Sequence, residues 1–148
     1  MLQVRSKLEQ SAAVWHSSLT KKNTSDLERV QKSALRVILG DKYTSYKNAL
    51  EVVKLDSLEE RREKLCLKFA KQCLRHEKLK DMFPQRVSHH LMDKRNAPKF
   101  VVTKALTERY RRSSIPSMQR LLNIAEREKR EILKKIKNTV PVNYDSCL

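Results

Sequence analysis

Apolar residues recur along this chain at steps of three and four between polar caps, a period that predicts helices. A first helix is expected over residues 2–18, with Leu8 and Trp15 seven apart and Val4, Ala12 and Leu19 widening the same face. The polar run Ser17, Ser18, Lys21, Lys22 and Asn23 reads as its end. The second helix places Leu27, Val30, Gln31, Ala34, Leu35 and Ile38 on one side, with Arg29, Lys32 and Arg36 mostly on the other. Thr24 or Ser25 is its expected cap, and Asp26 and Glu28 suit the positive end of the helix dipole. Gly40 then stands where a helix takes a left-handed residue.

A short helix is expected over Tyr46–Val53, followed by a link through Lys54, Leu55 and Asp56. Ser57 and Glu60 have capping-box spacing, which opens another helix. Its seam is Leu58, Leu65, Phe69 and Cys73, with Cys66, Ala70 and Leu74 beside it. The exposed side is expected to carry Arg61, Arg62, Lys64, Lys68, Lys71 and Arg75. Residues 84–100 hold two prolines and no steady period, so they read as a linker. Val101 and Val102 suggest extended chain, whereas Ala105, Leu106 and Arg109 also allow a helical turn or two. Ser114 or Ser117 can cap a last helix, with Pro116 tolerated in its first turn. Met118, Leu121, Leu122 and Ala125 form its face. Glu128 and Lys129 interrupt that face before Ile132, Leu133 and Ile136 resume it, so the far half is expected to run into solvent. Pro141 ends any regular helix.

The resulting expectation is an all-α fold, a small bundle of about four to five helices with a less regular linker and a basic C-terminal helix. Residues 1–83 form the helical domain, 84–113 the linker, 114–140 the C-terminal helix and 141–148 a tail.

Composition narrows the function classes. The single glycine is too little for phosphate-cradling loops, and it argues against a hairpin-rich β fold. With hydrophobic residues at 39% of 148 positions, material for a core is limited. The formal charge of +16 is spread along the chain: residues 1–75 carry 16 basic and 9 acidic side chains, and 76–148 carry 17 and 8. Such an excess favours encounters with polyanions. No stretch approaches eighteen apolar residues, so no spanning helix is expected, and the charged opening residues do not form a secretory leader. Cys66, Cys73 and Cys147 cannot all pair within one chain and read as free thiols of a reducing, intracellular compartment, nucleus or cytoplasm.

Candidate chemistry is thin. Cys66, Cys73, His76, His89 and His90 have spacings that match no common zinc finger, and the two helical cysteines read more simply as small fillers of a buried seam. Cys66 or Cys73 with His76 lacks an orienting partner and an oxyanion hole. Carboxylate pairs such as Glu59 with Glu60, or Glu126 with Glu128, sit among Arg and Lys at helix-surface spacing, where ion pairing explains them. No catalytic residue, cofactor or metal is expected. Trp15 lies on the apolar stripe and reads as core rather than as a stacking platform.

Two basic groups remain: Arg61, Arg62, Lys64, Lys68, Lys71 and Arg75 on one helix, and Arg109, Arg111, Arg112 and Arg120 around the start of the last. Cations repeated along a helix suit phosphate contacts with RNA or DNA, without base readout. The alternative is a helical protein-interaction domain working through the faces of residues 27–38 and 58–73.

The words RSKLEQSAAVWHSSLT, DLERVQKSALRVILG, SLEERREKLCLKFAKQC and TERYRRSSIPSMQRLLN stand in that order. Together they resemble the segment that follows the catalytic core in reverse transcriptases of non-LTR retrotransposons, of the jockey and CR1 type. The resemblance implies a thumb-like helical region that helps hold template and primer. Glu28, Arg29, Gln31 and Lys32, then Arg61, Arg62, Lys68 and Phe69, occupy the family pattern. The family's polymerase palm with its metal-binding aspartates has no counterpart here. What is implied is an inactive fragment that docks onto a polymerase core or associates with itself.

Overall fold

The computed structural model describes residues 2–86 and 97–139. The expected all-α bundle is what forms: seven α-helices and three short 3-10 turns lie among the described residues, with one isolated antiparallel bridge, Gln85 to Phe100, and no sheet.

The opening helix differs from expectation because Ser11 takes a left-handed conformation, φ 53 and ψ 28, which interrupts the helical hydrogen-bond ladder. Helix α1, Leu2–Glu9, therefore stops, and α2, Ala12–Trp15, leads into a 3-10 turn at His16–Ser18. The Trp15 indole donates to Gln10 O at 2.8 Å and so occupies one carbonyl freed by the break. Helix α3, Lys21–Leu39, starts before the expected Thr24 or Ser25. Extended Thr20 is the cap, its hydroxyl accepting from Asn23 N at 3.2 Å, so Lys21, Lys22 and Asn23 begin the second helix rather than end the first. Gly40 takes a positive φ of 50 at the helix end, but its ψ of -125 lies outside the left-handed helical region expected there.

Helix α4, Tyr46–Val53, has the expected bounds and is capped by Ser45. Helix α5, Leu58–Arg75, opens where Ser57 Oγ accepts from Glu60 N at 3.2 Å. Residues 101–107 form no regular element, and one short helix follows, α6, Glu108–Arg111, capped by Thr107. Helix α7, Ser114–Thr139, runs 26 residues. Its far half is unpacked as expected, with Ile132, Leu133 and Ile136 all about half exposed.

Helix α5 is the central strut, touching α1, α2 and α3 near its start and α7 farther along. One core joins Ala70 and Cys73 of α5 to Phe83, Phe100, Met118 and Leu122, all buried. Two amides of α7 fasten Met82, Phe100 and Thr103 to the helix. Asn123 brackets Phe100, accepting from its N–H and donating to its C=O, each at 2.9 Å. Gln119, wholly buried, accepts from Thr103 N and donates to Met82 O, both at 2.8 Å. Such buried amides stabilise because each polar atom finds its partner.

The buried stripe of α5 is offset from the expected one. It runs through Leu58, Arg62, Cys66, Ala70 and Cys73, while Phe69 is 42% exposed. Helical period alone allows this phase; only the charge of Arg62 argues against it.

Candidate nucleic-acid interface

Three turns of α5 place Lys64, Lys68, Lys71 and Arg75 together, lining a shallow groove of about 370 Å³ with Leu67 and Gln72. The four cations are exposed. Lys64 is held by Asp56 Oδ2 at 2.6 Å. Lys68, Lys71 and Arg75 have no carboxylate partner among the described residues. From Lys64 to Arg75 the helix rises roughly 16 Å, the length of about five base-pair steps of duplex.

The other two members of the expected ridge are committed elsewhere. Arg61 reaches back to Glu9 of α1 at 2.6 Å, joining helices that lie 52 residues apart in sequence. Arg62 is 0% exposed and cannot reach a polyanion in solution, which corrects its place in that face. Its guanidinium lies 5.8 Å from the centre of the Trp15 ring, and Nε donates to His16 Nδ1 at 3.4 Å. Both terminal nitrogens of Arg62 lack a hydrogen-bond partner. An unpaired buried cation is costly, and the cation–π contact offsets only part of that. Burial, then the Arg62 charge, hold His16 below the ordinary imidazole range.

The second basic group does not form a free face either. Arg111 grips Glu108 with two hydrogen bonds, at 2.7 and 2.8 Å. Arg112 donates to Leu19 O at 2.6 Å across 93 residues of sequence, and Arg120 donates to Arg111 O at 2.7 Å. The Arg111 hydrogen bond lowers the Glu108 pKa, with the charges of Arg111, Arg112 and Arg120 adding to it. Of this group only Arg109 is exposed without an assigned partner among the described residues.

Sequence reasoning missed the polar knot that starts α5. Glu28 accepts the Tyr46 hydroxyl on one oxygen and Glu59 N on the other, at 2.8 Å for the latter. Gln31, 2% exposed, donates to Tyr46 Oη at 3.0 Å and more weakly to Asp56 O at 3.3 Å. Arg5 donates to the same Asp56 carbonyl at 3.0 Å. Glu28 thus adds a second acceptor to the N-terminus of α5, beside Ser57. Neither spacing nor periodicity signals a contact across 31 residues.

Cys66 and Cys73 are buried free thiols, as the seam reading expected, and burial pushes both pKa values up. Cys66 Sγ points to Ala12 O at 3.7 Å. Among the described residues no three His, Cys, Asp or Glu side chains gather as metal ligands; His89, His90 and Cys147 lie outside those residues. Trp15 is partly buried, with its face toward Arg62. No helix among the described residues is long and apolar enough to cross a membrane.

No family model, curated protein or solved structure matches the chain. That finding overturns the retrotransposon-derived and reverse-transcriptase-like terms that the resemblance suggested.

Proposed function

We propose that this chain is a non-catalytic helical module that holds the phosphate backbone of RNA or DNA on the exposed ridge of α5. The observation that carries the reading is the run of Lys68, Lys71 and Arg75, three exposed cations with no carboxylate partner among the described residues, along one groove. Cations already matched by Asp or Glu must break a bond before they take a phosphate; these three need not. The charge of +16 raises the encounter rate and adds no base preference.

Titration of labelled RNA and DNA of unrelated sequences by fluorescence anisotropy tests the reading. The expected result is binding that varies little with base sequence and weakens steeply with salt. No binding even at low salt ends the proposal.

A second reading, a helical protein-interaction module, is favoured by the stripe of Ile132, Leu133 and Ile136, exposed by 58, 49 and 53% on the far half of α7. Val30 at 46% and Ile38 at 54% leave the α3 face only partly covered as well. Stable oligomers that form equally with and without nucleic acid would support that reading over the first.

A further inference from the structure

A second polar pocket, of about 580 Å³, opens where the His16–Ser18 turn, the first turns of α3 and the segment before α7 meet. Lys21, Lys32 and Arg112 line it, and none of the three is ion-paired among the described residues. Lys32 Nζ lies 5.1 Å from the centre of the Tyr46 ring, and one Arg112 nitrogen is used by Leu19 O, which leaves the remaining donors of both side chains available.

Three further observations give this pocket a positive, donor-rich floor. Thr24 and Ser25 add hydroxyls from the flank of α3. Ser17 also lines the pocket, and its Oγ is buried without a hydrogen-bond partner. Behind the wall, His16 connects the pocket to Arg62, a wholly buried guanidinium with two unpartnered nitrogens. Two carboxylates are also present. Glu28 has both oxygens occupied, by Tyr46 and by the Glu59 N–H, and the Glu59 side chain is exposed. Neither neutralises the three cations by direct contact.

We propose that this pocket binds a single phosphate group, supplied either as free inorganic phosphate or as the terminal phosphate of a nucleotide or strand. Lys21, Lys32 and Arg112 take the charge, and Thr24 and Ser25 supply hydroxyl donors. The volume exceeds what one phosphate fills, leaving room for an attached nucleoside. The site is separate from the α5 ridge and does not depend on it.

The single tryptophan, Trp15, adjoins His16 and provides the reporter. Full-length protein is titrated with inorganic phosphate, and with a dinucleotide carrying or lacking a 5′-phosphate, by Trp15 fluorescence and calorimetry. The expected result is saturable binding that requires the phosphate. A double Lys21→Gln, Lys32→Gln variant weakens it at least tenfold, whereas Lys68→Gln with Lys71→Gln changes it less than twofold. Ser25→Ala, at an exposed position of α3, weakens it several-fold and decides the matter if the double variant unfolds. Equal affinity for inorganic phosphate and the phosphorylated dinucleotide identifies the free ion as ligand; preference for the dinucleotide identifies a strand or nucleotide end. Absence of saturable binding by either, or affinity indifferent to Ser25→Ala and to the double variant, overturns the proposal.

Discussion

The two basic groups of this protein look alike in sequence and differ in what their charges are attached to. Around α6 and the start of α7, Arg111 is paired with Glu108, and Arg112 and Arg120 each place one nitrogen on a backbone carbonyl, Leu19 O and Arg111 O. Along α5, Lys68, Lys71 and Arg75 bond to no carboxylate among the described residues. Of the first set, Arg112 ties the segment to Leu19, whereas Arg111 and Arg120 bond within residues 107–120; the second set makes no such bond to a carboxylate among the described residues. Counting cations does not distinguish them, because the difference lies in which acceptors the fold brings within reach, from Glu108 three residues before Arg111 to Leu19 O, 93 residues from Arg112.

The largest test of that difference is removal of the free set. Lys68→Gln, Lys71→Gln and Arg75→Gln together should lower duplex affinity by about eightfold for each phosphate no longer neutralised near 0.1 M salt, with unchanged stability. Equilibrium titration checks the first part and chemical denaturation the second. Arg62 offers the opposite outcome. Exchanging this buried, carboxylate-free guanidinium for methionine should raise stability by about 1–3 kcal/mol in urea unfolding and leave duplex affinity almost unaltered. A loss of stability would mean that the Trp15 and His16 contacts outweigh the cost of burying the charge. Arg120→Gln, from the matched set, should cost about 0.5–1 kcal/mol and change duplex affinity less than about threefold.

The smallest effect is one of pH. The folded-state pKa of His16 is lowered, so the folded protein binds fewer protons there than the unfolded chain. Its contribution to stability is complete well above 6.5 and declines as pH falls through that value towards the lowered one. A His16→Asn variant should lack this component in denaturation series at about pH 7 and about pH 5.5, either side of the ordinary imidazole value.

Local signals made most of the fold legible. Tyr46–Val53 has the bounds its apolar pattern predicts, and Ser57 opens α5 as its spacing requires. The far half of α7 is bare because Glu128 and Lys129 break its apolar face before Ile132. The rest is set by tertiary partners. No glycine or proline marks the break at Ser11, which the packing of Ala12 against α5 accompanies. The charge of Arg62 argues for an outward side chain, yet Arg62 completes the four-residue steps from Leu58 to Cys66 and lies against Trp15. Of the ten basic residues expected to contact nucleic acid, the ridge was legible as helical period. Which of its members would meet Glu9 or Asp56 was not, since those acids come from α1 and from the link ahead of α5.

The salt dependence of duplex binding, measured side by side for the unmodified protein and the triple α5 variant, tests the central claim most directly. Three free cations predict that the variant's plot of log affinity against log salt is shallower by about 2.7, at roughly 0.9 per phosphate released. Equal slopes for the two proteins would place the binding charge somewhere other than α5 and contradict the account.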